Sequence, residues 1–149
     1  ELEESPESRG EVRVVFAEDS PFIRDNVIKL LHQAGYTQVA DFENGRLALD
    51  YIARQVREAE EAGEPLGARI NAVVTDIEMP RLDGLTLCKR IKGAAETKAL
   101  PVVIFSSLIN EQMSLKCKEV GADDHVTKPQ MKLLVDKLDV LLGLAPTEE

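Results

Sequence analysis

The sequence predicts an α/β fold: a doubly wound, five-stranded parallel sheet with helices on both faces. Three observations lead there. Five short runs rich in Val, Ile and Phe each precede a stretch of helical periodicity. Most of these runs are continuously apolar, as strands covered on both faces are, rather than alternating. Acids, hydroxyls and a lysine recur where the runs stop, and ligands of such sheets sit beyond the carboxyl ends of the strands.

Residues 1–11, ELEESPESRGE, are rich in Glu, Ser and Pro and are expected to be a disordered linker. VRVVFAED (12–19) is the first strand, ended by acids. Ser20 then supplies an N-cap and Pro21 suits the first helical position. Ile23, Val27, Leu30, Leu31 and Ala34 share one face of that helix, and Gly35 stops it. QVADF (38–42) is a short second strand, followed by a helix from about Asn44 with Leu49, Ile52 and Val56 on one stripe. The pattern carries this helix to about Ala62, and a longer loop follows. NAVVTD (71–76) is the third strand, and Leu85, Cys88 and Ile91 begin a third helix capped near Asp83. PVVIFSS (101–107) is the fourth strand, Glu111–Val120 the fourth helix and DDHVT (123–127) the fifth strand. The last helix covers about 131–142, with Leu134, Leu138, Leu141 and Leu142 in register. The folded domain is thus expected over 12–142, with 143–149 as a tail. Right-handed crossovers leave few alternatives to an open doubly wound sheet, and the flavodoxin-like one with strand order 2-1-3-4-5 is the expectation.

Composition bounds the function. The chain has 149 residues, enough for one domain with one sizeable core, and 44% apolar against 30% charged residues is an ordinary globular balance. No apolar run approaches the roughly 18 residues that span a bilayer, so no membrane insertion is expected. The first residues lack the basic start and apolar middle of a signal peptide. They also lack an initiator Met, so an excised domain starting in a linker of a cytoplasmic protein is expected. The net charge of −9, from 27 acidic and 18 basic residues, opposes nonspecific binding to nucleic acid or anionic lipid. Cys88 and Cys117 form no CxxC and read as idle thiols of a reducing compartment. Two His and two Cys scattered in this way argue against structural zinc.

The strand ends carry the chemistry. Glu18 and Asp19 follow strand 1, Asp76 follows strand 3, Ser106 and Ser107 close strand 4, and Lys128 follows strand 5. Each has an ordinary reading alone. Glu18-Asp19 could cap a helix, Lys128 could be a solvated lysine, and Ser106 could be a satisfied strand-end hydroxyl. Their coincidence at four strand ends is harder to explain that way. Clustered acids repel one another unless a cation sits between them, and Mg²⁺ takes hard oxygen ligands. Such a cation would neutralise charge on a transferring phosphoryl group, while an ammonium and a hydroxyl hold its remaining oxygens. A carboxylate is already ionised at neutral pH and can serve as nucleophile, giving an acyl phosphate.

EDS (18–20), TDIEMPRLDG (75–84), FSS (105–107), GADD (121–124) and TKP (127–129) occur in that order, and with them residues 12–142 resemble the receiver domains of two-component signalling. The resemblance implies that Asp76 is the phosphoacceptor and that Glu18 and Asp19 help bind Mg²⁺, Asp19 directly. It implies further that the Glu78 backbone carbonyl is a metal ligand, that Ser106 contacts the phosphoryl group and that Lys128 pairs with it. The Lys128–Pro129 peptide would be cis, an isomer that proline alone makes cheap. Pro80 and Gly84 are expected to shape the loop after Asp76, and Gly121 to end the fourth helix. The implied function is a switch rather than an enzyme: Asp76 takes a phosphoryl group from a histidine kinase and the domain changes its partner surface. A binding-only pseudo-receiver, or a receiver of another two-component pathway, is the alternative. An aspartyl phosphatase would want an acid other than Glu78 in a D-x-D pattern, and a flavin site would want a glycine-rich loop where EDSPF stands.

Three features depart from the family. His125 stands where receivers often carry an aromatic ring that moves inward with the strand-4 hydroxyl; it is either part of that switch or a partly exposed strand histidine. Glu78 places a second acid near the acceptor and is expected to tune the lifetime of the acyl phosphate. QVREAEEAGEPLGAR (55–69) is longer than a compact receiver needs, either as a solvated helical extension or as a partner-docking ledge. The long segment, the TDIEMP string and Ser-Ser-Leu after strand 4 resemble the receivers of CheV-type chemotaxis coupling proteins. Those proteins join a receiver to an amino-terminal CheW-like domain, which implies a CheA-like kinase and an adaptor or phosphate-sink role. No output domain is expected after LAPTEE.

Overall fold

A computed structural model describes residues 6–144. The first five residues of the expected linker and the last five of the expected tail lie outside the described residues. The elements are β1 (Arg13–Ala17), α1 (Pro21–Gln33), β2 (Gln38–Phe42), α2 (Gly45–Ala62), β3 (Ala72–Thr75), α3 (Gly84–Gly93), β4 (Val102–Ser106), α4 (Glu111–Glu119), β5 (Asp124–Thr127) and α5 (Met131–Leu141). All four pairings are parallel, and the sheet order is β2-β1-β3-β4-β5. The predicted doubly wound fold and strand order are what the chain adopts.

Helix starts follow local side-chain chemistry. Ser20 Oγ accepts the Ile23 N–H, Asn44 Oδ1 that of Leu47, Asp83 Oδ1 that of Thr86, and Asn110 Oδ1 that of Met113. Each satisfies a donor that the helix itself cannot pair. The sheet divides the interior in two. Val15, Val73 and Ile104 pack with Ile52, Leu87, Ile91 and both cysteines under α2, α3 and α4. Val14, Phe16, Val74, Phe105 and Val126 pack with Val27, Leu31, Leu134 and Leu138 under α1 and α5. Each large apolar side chain buried this way contributes about 1.5–3 kcal/mol.

Two segments differ from the sequence reading. The linker expectation does not hold for Arg9–Glu11, which form a 3₁₀ turn just ahead of β1. Arg9 is the reason. Its guanidinium donates to both carboxylate oxygens of buried Asp139 in α5 (3.1 and 2.6 Å) and to the Ala34 carbonyl (2.7 Å), and it lies over the Tyr36 ring. The Tyr36 hydroxyl donates to the same Asp139 at 2.6 Å. The second segment is 55–69. α2 does run to Ala62 and ends on Gly63 at φ 69°, but the chain then folds back. A 3₁₀ turn at Leu66–Ala68 buries Leu66 and Gly67, and Arg69 reaches Gln55, Glu58 and Glu64 at 3.1, 3.1 and 2.8 Å. The segment is therefore folded back on itself by Arg69 and anchored to the core by Leu66, while residues 60–64 stay exposed.

Candidate functional site

β1 and β3 are neighbours in the sheet, so their carboxyl ends lie side by side. Glu18 and Asp19 leave β1 there and Asp76 leaves β3. One carboxylate oxygen from each of the three lies within 4.8 Å of the others. Glu18 is buried, Asp76 is 9% exposed and Asp19 is open to solvent. Three hard oxygen donors at this spacing fit a small divalent cation that retains waters.

Lys128 enters the same cluster from the end of β5. Its ammonium pairs with Glu18 Oε1 and lies 3.3 Å from Asp76 Oδ2. Its side chain is only 13% exposed, which rules out a merely solvated lysine. The Lys128–Pro129 peptide is cis, and the Lys128 N–H donates to the Ser106 carbonyl at 3.1 Å. Glu18 is held on every side. Its Oε2 accepts the Ser20 N–H at 3.1 Å, its N–H donates to the Phe42 carbonyl at 3.0 Å, and its carbonyl accepts from Arg24 Nη1 at 2.7 Å.

The loop after Asp76 is seated by close backbone approach. Asp76 Oδ1 accepts the Ile77 N–H at 2.8 Å, and the Gly84 N–H donates to the Ile77 carbonyl at 2.8 Å. A Cβ on Gly84 would fall 1.7 Å from the Asp76 carbonyl oxygen, and one on Gly45 would fall 2.2 Å from that of Leu82. Glycine is required at both positions. The sequence pointed to Gly84; Gly45 carried no signal, because its partner Leu82 is distant in the chain. Arg81 takes a left-handed φ of 72° within this loop.

The other expected residues take separate places. Ser106 closes β4 opposite Thr127, is buried, and its Oγ accepts the Leu108 N–H at 3.1 Å. The Glu78 side chain is exposed. His125 lies outside the acidic cluster: its Nε2 is 3.0 Å from Ser114 Oγ in α4, and it pairs with Ile104 across the β4–β5 ladder. Both cysteines are buried free thiols. A groove of about 760 Å³ along the β1–β2 edge is lined by none of the three acids. The acidic edge, not that groove, concentrates the reactive groups.

Residues 14–139 match the family model of the response regulator receiver domain. The two-component response regulator ORR1 of Oryza sativa subsp. japonica is 32% identical over 133 residues, which is 87% of this chain and 54% of that relative. This chain spans about half the length of such curated relatives. Among solved structures, the signal receiver domain of a signal transduction histidine kinase from Syntrophus aciditrophicus superposes with a TM-score of 0.73 at 28% identity, covering 93% of this chain and 96% of that one. The chemotaxis protein CheY4 of Vibrio cholerae gives a TM-score of 0.69 at 25% identity, covering 87% and 98%.

Proposed function

The chain belongs to the response regulator receiver family of two-component systems, and from that premise we propose that it is a phosphorylatable switch whose acceptor is Asp76. The observation that carries this reading is the placement of the Asp76 carboxylate at the end of β3, within 4.8 Å of donor oxygens of Glu18 and Asp19 and 3.3 Å from the Lys128 ammonium. An Asp76 oxygen attacks the phosphorus of a phosphohistidine on a histidine kinase. The P–N bond breaks, the imidazole leaves and takes up a proton, and Asp76 becomes an acyl phosphate.

The donor set fits Mg²⁺, which Asp19, Asp76 and the Glu78 backbone carbonyl would hold, with Glu18 assisting. When bound, the cation supplies positive charge to the phosphoryl oxygens during transfer. Lys128 leaves its carboxylate partners to meet the new phosphoryl oxygens, and the buried Ser106 hydroxyl contacts one of them. His125 follows as the switch, giving up its contact with Ser114 and so changing the α4–β5 surface. The acyl phosphate selects one of two existing conformations rather than creating a new one. The exposed Glu78 side chain alters how fast water reaches that bond; equal hydrolysis rates in wild type and Glu78→Ala would count against this role.

The finer assignment is to bacterial chemotaxis, as the receiver of a CheV-type coupling protein. Its kinase would be CheA-like, a CheW-like domain would share the full-length chain, and the setting would be cytoplasmic. The folded-back 55–69 segment and the likeness to a chemotaxis regulator support it. The deciding experiment is incubation with acetyl phosphate and Mg²⁺, followed by intact-mass measurement. One phosphoryl group should add to wild type and none to Asp76→Asn. A gain that persists in Asp76→Asn, or none in wild type, defeats the reading.

A further inference from the structure

We propose that Arg24 is a positioning residue for the Glu18–Asp19 turn, holding it in the shape that lets Asp19 and Asp76 share a divalent cation. The inference rests on the reading above in one respect: that cation is what the turn is aimed at.

Arg24 lies in the first turns of α1, and its side chain folds back over the start of the helix. Nη1 donates to the Glu18 carbonyl at 2.7 Å and Nε to Asp41 Oδ2 at 3.1 Å, at the end of β2. The guanidinium is largely covered, its side chain 15% exposed. On the other side of the same residue, the Glu18 N–H donates to the Phe42 carbonyl. The two peptide planes flanking Glu18 are therefore fixed from β2 and from α1 together. The Glu18 carboxylate is engaged as well, with Ser20 and Lys128. What remains open to solvent at this turn is the Asp19 carboxylate, whose direction depends on the peptide that Arg24 grips.

Two effects of Arg24 on a nearby cation oppose each other. Fixing the turn favours binding, because the carboxylates need not be ordered when the metal arrives. The positive charge of the guanidinium disfavours it. Asp41 supplies a compensating negative charge 3.1 Å away, so the repulsion is largely cancelled and positioning prevails. A lysine could keep the charge but could not serve a carbonyl and a carboxylate at once with a rigid fork.

The test is calorimetric titration of Mg²⁺ into metal-free protein, with amide hydrogen exchange as a second readout. Arg24→Ala should weaken Mg²⁺ binding by roughly tenfold, the lower end for residues that orient metal ligands. It should also speed exchange at the Asp19 and Ser20 amides in the absence of metal. Arg24→Lys should fall between the two, which keeps the question answerable if Arg24→Ala does not fold. Asp41→Asn removes the charge that offsets the guanidinium and should weaken Mg²⁺ binding as well, but by less than Arg24→Ala, because the Arg24 contact to the Glu18 carbonyl has its own donor. Mg²⁺ binding to Arg24→Ala or Arg24→Lys as tight as to wild type, or tighter, overturns the proposal while leaving the phosphoacceptor reading intact. Absence of Mg²⁺ binding to wild type overturns both.

Discussion

The carbonyl oxygen of Asp76 occupies the space where a side chain on Gly84 would begin: the Cβ would lie 1.7 Å away. The obstruction is backbone, so no flexible group can move aside. Gly84→Ala should destabilise the protein by about 1–3 kcal/mol, as overpacking does. It should also slow phosphorylation of Asp76 at saturating Mg²⁺, since the peptide that must shift carries the acceptor. Urea unfolding and the mass assay measure the two effects. A variant as stable and as reactive as wild type would show that the loop yields freely.

Lys128 supplies an ammonium to two carboxylates of one cluster. Lys128→Ala leaves three acids facing one another and should cost about 1–3 kcal/mol in metal-free buffer. Saturating Mg²⁺ should then raise the unfolding temperature more in the variant than in wild type, because the cation replaces the missing charge. Phosphorylation by acetyl phosphate should fall by roughly 10²-fold, the effect of losing one donor to a reacting oxygen. Equal Mg²⁺-induced shifts in the two proteins would disprove the competition.

Burial pushes the Cys88 thiol from an ordinary 9.0 up to about 12, and burial, with the hydrogen bond to Asp139, raises Tyr36 as well. In both, the folded state keeps a proton that the unfolded chain gives up earlier. Stability is thus fully present below pH 9 and is lost as pH rises toward 12, at about 1.4 kcal/mol per pH unit for one group. Cys88→Ala lowers stability at all pH values by leaving a void, yet its decline above pH 9 should be shallower by one group. Urea midpoints at a series of alkaline pH values test this, and parallel declines would refute it.

His125 touches Ser114 in α4 from the middle of β5. If this contact reports the state of Asp76, His125→Ala should still accept a phosphoryl group but lose phosphorylation-dependent binding to its partner. Ser114→Ala should raise binding of the unphosphorylated form, because it frees α4 without removing the ring. Partner binding by His125→Ala that responds normally to phosphorylation would make His125 an ordinary strand residue.

The parts of this molecule legible in the sequence are those with local causes. Ser20, Asn44 and Asp83 cap their helices because the acceptor and the orphan N–H groups lie within three residues. The site was legible for a less local reason: a parallel sheet brings every strand's carboxyl end to one edge, so listing strand ends nearly lists the site. Strand limits were read too wide, as with 12–19 for β1, because an apolar run does not mark where pairing stops. What stayed hidden depends on partners far along the chain. Nothing near Gly45 announces Leu82, and nothing near Arg24 announces Asp41. Arg9 was lost in a Glu/Ser/Pro-rich stretch whose composition argued for disorder, although its partner lies 130 residues away.

That last pairing redraws the edge of the folding unit. A fragment beginning at Val12 would contain every strand and helix, and by element count it would be complete. It would also strand the carboxylate of Asp139 against the Tyr36 hydroxyl with no guanidinium to balance it. Domain fusions, circular permutants or minimal fragments of this protein should therefore be cut upstream of Ser8, because the seam of the domain is drawn by a charge and not by the first strand.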